Sequence, residues 1–530
     1  MTSAVENRRV SFLLLYLSIC VLVVLYIRHN WGYAVDDSFI TFRYSDNLRS
    51  GYGLRFNIDE RFYGTTAAGY ALLVCAVSFL VDPFLRLFGA PEFLGAGHAS
   101  IPIAGTILSG VSIGGIATIL VRLVQIRAPN VLGILLAFVS MILLFTSFAA
   151  NYVSSHETYT FLFVALVATY AYLIANRPIL SAFLMALACS IRPDSALIGF
   201  AVFFVESVVA LRGNQGPLLR RLRAPLKYAG CLFLLMVCWL LYSRWNFGAF
   251  SPETLTAKHA QMLLRDFPGF NLKNLWTQSI AFGLGNTLIF GAITLVSSVL
   301  FLASGRWKVA RNTDILLFAL VWAFYAIGDT TAYLLFDVSI WAWYVIAIMF
   351  SIAFVVFALA IAVFSDLWAI GGARGKWLMA VPAVVGLAFV FRTDSGERQS
   401  ITSWLTSTNF NGHITSYVPA VDFIRSRDPN GAVIVTAEPG AFAFRLGPKY
   451  EVIDELGLVS PGVARKIIEK DMDYPFRRWN PKYVIVSWHG LYTPEGRPWF
   501  EREYSPVLTF TGPYWTAVGI TAHVYQKKQT

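Results

Sequence analysis

The chain has 530 residues, of which 56% are hydrophobic and only 14% are charged, and its mean hydropathy is +0.59. Soluble domains carry about 25% charged residues, so this composition excludes a soluble enzyme and an intrinsically disordered chain. The net charge of +11 could accompany nucleic-acid binding, but a chain this apolar favours a membrane location instead.

The charge is divided unevenly along the chain. Residues 1–392 hold the long apolar runs, with 27 Lys+Arg and 17 Asp+Glu, whereas residues 393–530 hold 15 and 14. The basic excess therefore belongs to the apolar part, and we predict a membrane domain at 1–392 followed by a nearly neutral domain at 393–530. All five cysteines lie in the apolar part, so no disulfide framework is predicted in the tail.

Apolar runs of about 17–25 residues can cross a bilayer as a helix. The first run follows Arg8-Arg9 and lacks a small-residue cleavage site, which predicts an anchor rather than a signal peptide. Eleven runs are predicted to span: 10–27, 99–121, 131–150, 157–175, 179–191, 196–211, 226–244, 276–303, 313–336, 343–365 and 376–392.

A further run at 66–81 ends at Asp82-Pro83 and decides the orientation. If this run does not span, 15 of the 27 cations of the membrane part fall in cytoplasmic segments, as the positive-inside rule requires. If it spans, every later basic loop faces outward. We therefore predict that 66–81 is interfacial or re-entrant, that the N-terminus is cytoplasmic, and that the first loop (30–98) and the tail are extracytoplasmic.

The tail has the pattern of an α/β domain. Residues 432–435 and 483–486 are short apolar runs that predict buried strands. A helix is predicted at 418–426, and the sequence Asp-Pro-Asn-Gly at 428–431 predicts a turn.

Two adjacent carboxylates, Asp36 and Asp37, directly follow the first predicted span. One of them could act as a general base for an acceptor hydroxyl, and the pair could also bind a metal ion. Asp is equally a good N-cap, so a helix cap followed by a solvated turn explains the same two residues. The spacing alone does not choose between these interpretations.

The predicted topology brings further polar and aromatic groups to the same outer face. Singly, each has a structural explanation, such as a local ion pair or an aromatic belt at the membrane interface. Together they favour a functional site, because ionisable groups at membrane depth are costly. They are His156 and Glu157, Arg192 and Asp194, Lys258 and His259, and Trp341, Trp343 and Tyr344.

Such a face suits sugar transfer from a lipid-linked phosphate. Arg43, Arg192 and Lys258, with the neighbouring His259, are predicted to bind the donor phosphate and favour its departure. A carboxylate would take the proton of the attacking hydroxyl. The remaining groups, which include His156, Glu157 and Asp194, are predicted to contact the sugar or the lipid, the aromatic rings by stacking. A lipid-linked donor requires no nucleotide-binding loop, and none is found.

The order of these motifs resembles that of GT-C glycosyltransferases, and most closely the mycobacterial terminal β-(1→2)-arabinofuranosyltransferase family. The resemblance runs from the first loop to about residue 465. Glu253 and Glu438 are departures, because the family pattern has Asn and Asp there. The matching segments are 36–66, beginning DDSFITFRY, then SHET at 155–158, RPD at 192–194, PETLTAK at 252–258, WY at 343–344, EPGA at 438–441 and VIDELGL at 452–458.

The resemblance implies a GT-C fold of about 11 transmembrane helices with an extracytoplasmic α/β domain, in a bacterial inner membrane. It implies catalysis on the outer face, a polyprenyl-phosphate donor such as decaprenyl-phosphoryl arabinose, and a catalytic base within the Asp36-Asp37 pair. It does not choose between the two aspartates. No metal ion is implied, although the pair with Glu157 could hold a divalent ion, which leaves that cofactor open but not favoured.

The expected function is therefore transfer of a sugar, with D-arabinofuranose as the expected one, to an envelope glycan or a pilin-like protein. A lipid or sugar transporter or flippase is one alternative, which predicts charged residues buried within the spans and repeated span patterns. A non-catalytic sugar-binding membrane scaffold is the other, and it would tolerate Asp36→Asn and Asp37→Asn. Nucleic acid is not an expected partner.

Overall fold

The computed structural model describes residues 2–88, 99–129, 131–212, 217–264, 269–281, 313–370, 407, 412–487, 494–513, 516 and 521–529. These residues are mostly helical, with a small β-sheet close to the C-terminus. The part up to residue 370 contains only helices among its regular elements, and the strands lie beyond residue 432.

The helical part is a bundle built from long apolar helices and short connecting ones. In chain order they are α1 (Thr2–His29), α2 (Asp36–Arg49), α3 (Ala68–Phe88), α4 (Ser100–Arg127), α5 (Val131–Thr146), α6 (Phe148–Tyr152), α7 (Glu157–Leu173), α8 (Pro178–Ile191), α9 (Ala196–Arg212), α10 (Leu218–Arg221), α11 (Arg223–Phe247), α12 (Thr254–Leu263), α13 (Leu272–Ala281), α14 (Thr313–Phe336) and α15 (Ala342–Ile370).

Seven helices of the described part are long and apolar enough to cross a membrane: Arg9–His29, Ala68–Leu87, Ser100–Arg127, Pro193–Arg212, Arg223–Phe247, Thr313–Phe336 and Ala342–Ala362. Three shorter apolar helices accompany them, at Gly133–Ile142, Glu157–Leu173 and Pro178–Ile191. The chain is thus a polytopic membrane protein by the length and composition of its helices. The predicted span 376–392, and the part of 276–303 beyond residue 281, lie outside the described residues.

Helices α1 and α4 pack closely and antiparallel through glycines of α4. A Cβ at Gly110 would lie 2.6 Å from Cγ1 of Ile27, and a Cβ at Gly114 would lie 2.5 Å from Cγ2 of Val23. Small residues let helix backbones approach in this way inside a membrane, where van der Waals packing and not the hydrophobic effect drives association.

The apolar run predicted to end at Asp82-Pro83 continues as a helix to Phe88, so that predicted boundary is wrong. Pro83 removes one backbone hydrogen bond but lets the helix continue. The charge of Asp82 is paired with Arg49 of α2. Helix α3 thereby reaches the length of a membrane span.

The position of α3 along α4 is nevertheless that of a helix at one end of the bundle. The hydroxyl of Tyr70, near the start of α3, donates to the carbonyl of Gly105 over 3.4 Å. Two turns further on, Arg49 bridges Ser78 of α3 and Ser100 at the first turn of α4, over 2.6 and 3.1 Å. The last ten residues of α3 therefore extend beyond the beginning of α4.

The tail folds as a five-stranded sheet in the order β2-β1-β3-β5-β4. Strands β2, β1 and β3 are parallel, and β5 and β4 continue the sheet antiparallel. The elements are α16 (Gly412–Ser416), α17 (Val418–Arg427), β1 (Val433–Thr436), α18 (Gly440–Leu446), β2 (Glu451–Asp454), α19 (Val463–Ile468), α20 (Tyr474–Trp479), β3 (Tyr483–Val486), α21 (Pro498–Glu503), β4 (Tyr504–Phe510) and β5 (Ala522–Lys527).

The two predicted strands and the predicted helix of the tail are confirmed, with bounds that differ by at most one residue. The strand β1 begins at Val433 instead of at residue 432. The sheet separates two apolar layers, one of which contains Val452 and Ile485 and belongs to the main core of the protein. The other contains Ile453 and Val484 and packs against α20 and α21.

The tail is joined to the bundle through α2 and the first loop. Residues of α2 pack along α18, and Asn57 of the loop both accepts from the amide of Val452 over 3.1 Å and donates to its carbonyl over 3.0 Å. Gly64 lies so close to the backbone of Leu458 that an added Cβ would approach its carbonyl oxygen to 2.8 Å. The carboxyl ends of β1 and β2 therefore face the helix that carries Asp36 and Asp37.

Candidate functional site

Asp36 lies in the first turn of α2 and joins this helix to the tail. Its carboxylate accepts hydrogen bonds from the amides of Ala441, over 2.8 Å, and Gly440, over 3.3 Å, at the start of α18. A negative charge at this position satisfies amides that have no partner inside their own helix. Burial, and then the nearby carboxylate of Glu438, raise the pKa of Asp36 well above its ordinary value.

Asp37 faces a different partner, although it is the next residue along the helix. Its Oδ2 lies 3.7 Å from Nζ of Lys258, and its side chain is 27% exposed. Successive residues of a helix point about 100° apart, which separates the two carboxylates. Asp37 is thus the member of the pair that combines a cationic neighbour with access to solvent.

Lys258 is buried on α12, between the bundle and the tail. Its ammonium lies 4.3 Å from the ring centre of Trp341 and 5.7 Å from that of Trp343. Burial lowers the pKa of Lys258, and the carboxylates of Asp37 and Asp454 act against that shift. The cation is therefore paired with Asp37 and lies against the faces of aromatic rings, with the charge of Asp454 nearby.

The aromatic rings form a ladder. Trp341 stacks on Trp343 at 5.3 Å between ring centres, and Trp343 stacks on His156 at 5.1 Å. Trp343 and His156 are buried, whereas Trp341 is partly exposed. Trp341 is thus the member of this ladder that solvent can reach.

Glu157 and Arg192 form a second charged group next to this ladder. Oε2 of Glu157 lies 3.2 Å from Nε2 of His156, and Oε1 lies 3.6 Å from Nη1 of Arg192. Nη2 of Arg192 pairs with Oδ2 of Asp194 at 2.6 Å, and its guanidinium lies 5.8 Å from the ring centre of Tyr344. Two carboxylates compensate this buried guanidinium, so its main role in the structure is to fix Glu157 and Asp194.

Sequence reasoning grouped Arg43 and His259 with the phosphate-binding residues, and the structure places both outside the cluster. Nε and Nη2 of Arg43 donate to the carbonyls of Phe56 and Tyr450, each over 2.7 Å, and Nη1 donates to the carbonyl of Ala443. Arg43 is buried and joins the first loop to the tail. Nδ1 of His259 lies 3.0 Å from the carbonyl oxygen of Asp337, and this contact is exposed to solvent.

Two acids near the cluster were not predicted as site residues. Asp454, at the end of β2, accepts from the amides of Leu456 over 2.8 Å and Val459 over 3.2 Å, and its charge acts on Lys258. Asp329 is buried on α14 near Asp194. The sequence signal for Asp454 was its position directly after a short apolar run, a pattern of strand ends where ligands bind in α/β sheets.

A divalent metal ion was left open by the sequence. In the described part of the chain, no three His, Cys, Asp or Glu side chains are grouped so that they could hold one. The three carboxylates suggested as metal ligands, Asp36, Asp37 and Glu157, have separate partners. Asp36 accepts hydrogen bonds from the start of α18, and Glu157 pairs with Arg192.

The comparisons with known proteins concern the tail alone. A domain of unknown function (DUF8728) matches residues 409–525. No curated protein matches the chain. The matched residues contain the whole sheet except the end of β5, and include Asp454, so the tail is a recurrent unit whose carboxyl edge faces the charged cluster.

Proposed function

We propose that the protein is a membrane glycosyltransferase that uses a polyprenyl-phosphate sugar as donor. The observation that carries this proposal is the contact of Asp37 with Lys258 over 3.7 Å, at the junction of α2, α12 and the tail. A carboxylate and an ammonium side by side supply the two groups that this transfer needs, a proton acceptor for the nucleophile and a cation for the departing phosphate.

In the proposed step, an acceptor hydroxyl oxygen attacks the anomeric carbon of the donor sugar. Its proton passes to the carboxylate of Asp37. The bond between the anomeric carbon and the phosphate oxygen breaks, and its electron pair leaves with the polyprenyl phosphate. Lys258 stabilises the negative charge that develops on this phosphate, because its burial strengthens the interaction relative to water.

The neighbouring residues have supporting roles in this proposal. Arg192 holds Glu157, and Glu157 in turn holds His156, whose ring supports Trp343. This chain of contacts fixes the wall beside Lys258, with Trp341 as the ring that meets the sugar or the first isoprene units. D-arabinofuranose is the proposed sugar, on the resemblance of the first-loop and later motifs to terminal arabinofuranosyltransferases.

We infer an outward orientation for this site in a bacterial inner membrane. The cluster lies where α1, α8, α11 and α14 end and where α2, α7 and α15 begin, so its residues share one end of the bundle. The register of α3 against the first turns of α4 supports a non-spanning α3. With α3 at that end, the basic loops lie on the opposite side, which the positive-inside rule makes cytoplasmic.

A transporter of lipid or sugar is the second candidate, and the burial of Asp329 on α14 favours it. Intramembrane carboxylates commonly belong to ion or proton pathways. The two candidates differ in product, because a transporter moves its substrate intact and a transferase releases polyprenyl phosphate.

The test is a transfer assay with the purified full-length protein, decaprenyl-phosphoryl arabinose and a glycan acceptor. We expect release of decaprenyl phosphate, and we expect Asp37→Asn to lower kcat by about 10²–10⁴-fold, the usual contribution of a general base. Asp59→Asn is the matched control, because Asp59 lies in the same loop but is exposed to solvent. Its rate should equal that of the unmodified protein.

The Asp36→Asn variant distinguishes a loss of catalysis from a loss of contact between the bundle and the tail. Its effect should appear as lower thermal stability, with a smaller loss of kcat, because Asp36 binds the start of α18. Equal rates for Asp37→Asn and the unmodified protein would refute the assigned base. If no polyprenyl-phosphate sugar supports product release, the transferase proposal itself fails.

A further inference from the structure

A cavity of about 540 Å³ lies between α12 of the bundle and α19 of the tail. The bundle side of its wall is Met262–Leu264, and the tail side includes Ile467, Ile468 and Met472. Among the described residues that line the cavity, Lys470 is the charged one. The volume falls in the range of about 300–1,000 Å³ that is usual for small-molecule sites, and the apolar lining fits a hydrocarbon chain.

The cavity is next to Lys258 on the same helix. Lys258 and Met262 are four residues apart on α12, so their side chains lie on one face about 5–6 Å from each other. That face is directed at the tail, because Asp454 acts on Lys258 and α19 lines the cavity beside Met262. Lys258 thus lies one helical turn before the first residue of the cavity wall on α12.

The groove is bordered by exposed apolar side chains. Leu263 is 45% exposed and Ile468 is 38% exposed. Beyond them, Leu272 and Trp276 of α13 are also exposed, and α13 packs against the long apolar helix α15. Exposed apolar side chains therefore lie on both α12 and α13, and Lys470 places a positive charge at the lining.

We infer that this groove holds the first isoprene units of the donor, with the donor phosphate at Lys258. This inference rests on the proposed function, and it assigns the part of the protein that recognises the lipid. An apolar groove with a buried lysine one helical turn from its wall is complementary to an amphiphile whose phosphate is joined directly to a hydrocarbon chain. It also gives the tail a binding role, because Ile467, Ile468, Lys470 and Met472 of the tail form one side of the groove wall.

The experiment measures the affinity of the full-length protein for farnesyl phosphate and for dimethylallyl phosphate, which share a phosphate and differ by two isoprene units. The unmodified protein should bind farnesyl phosphate at least about tenfold more tightly, because each buried methylene adds to affinity. Met262→Trp fills the groove from the bundle and should remove most of this difference. Ile467→Trp fills it from the tail and should do the same.

Leu255→Trp is the matched control, because Leu255 lies on the same helix, is 42% exposed and is not part of the cavity wall. It should keep the preference for the longer chain. If both groove variants fold and keep that preference, the groove is not the lipid site, even for a protein that transfers sugar. If the groove variants lose the preference while no sugar transfer occurs, the lipid site stands and the proposed function fails. If one variant does not fold, the other decides the result.

Discussion

Asp36 and Asp37 are adjacent in sequence but belong to different parts of the structure. Asp36 accepts hydrogen bonds from the first amides of α18, and Asp37 pairs with Lys258. No spacing rule could have separated them, since their partners lie about 400 and 220 residues further along the chain. Neither aspartate caps its own helix, because the N-cap of α2 is Val35 and makes no side-chain hydrogen bond there. Asp36 binds the start of another helix instead, and Asp37 remains the candidate site residue.

Arg43 shows how a cation can be assigned to the wrong neighbour when its partners are backbone carbonyls. The sequence predicted a phosphate contact because Arg43 is a cation of the loop that was expected on the outer face. In the structure, the guanidinium of Arg43 donates hydrogen bonds to the carbonyls of Phe56, Ala443 and Tyr450, and the last two belong to the tail. Carbonyl acceptors leave no residue-type signal, so only the folded chain reveals this contact.

Glu455 makes the stability of the protein depend on pH. Burial raises the pKa of Glu455 from 4.5 to about 8. A raised pKa in the folded state gives stability that is complete below the unfolded pKa and is lost as pH rises through about 8. We therefore expect the protein to lose roughly 2–3 kcal/mol of stability between pH 6 and pH 9 from this residue alone. Thermal unfolding of the full-length protein at the two pH values measures it.

Glu455→Gln should flatten this pH dependence, because the amide does not ionise. Asp454, whose pKa burial raises to about 6, contributes a smaller change of the same sign at the acidic end of the range. Glu501→Gln is the control, because Glu501 is exposed and should leave the pH dependence intact. A Glu455→Gln protein with the same pH dependence as the unmodified one would contradict this assignment.

At the scale of elements, the contact between α2 and α18 depends on the absence of a side chain at Gly440. An added Cβ would meet the backbone carbonyl of Asp36 and lie 2.6 Å from its Oδ2. We expect Gly440→Ala to separate the two helices, at a cost of about 1–3 kcal/mol as for other overpacked sites. Faster hydrogen exchange in both helices would report the separation, and sugar transfer should fall with it.

Gly230→Ala provides the control for this substitution. Gly230 lies within α11, where an added Cβ meets no atom within 4 Å. In the Gly230→Ala protein, hydrogen exchange in α2 and α18 should be the same as in the unmodified protein. Equal exchange in the Gly440→Ala and Gly230→Ala proteins would mean that α2 does not depend on the tail for its position.

The elements with strong local signals were predicted, and those defined by distant partners were not. The strands β1 and β3 are runs of apolar, mainly β-branched residues, and they were found within one residue. The strand β2 begins and ends with an acid, and it is a strand because β1 pairs with it. Helix α12 was assigned to a loop, since its ten residues carry a mixed polar and apolar pattern that is decided by contacts with the tail.

The candidate site was predicted better than its connections. The structure brings together Asp37, Lys258, Arg192 and the aromatic residues at the start of α15, which the sequence had placed on one outer face. That grouping followed from helix ends, which hydropathy locates well. Asp454 carried only the signal of a strand end, and its position beside Lys258, like the groove beside Met262, depends on the docking of the tail.

In the molecule as a whole, we interpret the net charge of +11 mainly as a signal for the orientation of the chain in the membrane and less as a contribution to ligand binding. The proposed topology puts the N-terminus inside and the tail outside, with α3 at the outer end of the bundle. A reporter enzyme active only outside the cytoplasm, fused after Thr530, should therefore be active. A second fusion after Arg212 should be silent, since that residue follows a span in a basic cytoplasmic segment.

The two fusions also decide the status of α3. If α3 crosses the membrane, both reporters reverse, and the tail becomes cytoplasmic. That result would remove the donor from the site, because the proposed transfer takes place on the outer face.

The central claim is that Lys258 receives the donor phosphate beside Asp37. The most direct measurement is the structure of the full-length protein bound to a non-transferable analogue of decaprenyl-phosphoryl arabinose. We predict a phosphate oxygen within about 3.2 Å of Nζ of Lys258, with the anomeric carbon on the side of Asp37. A phosphate held elsewhere, with Asp37 and Lys258 still paired and no sugar between them and Trp341, would contradict the account.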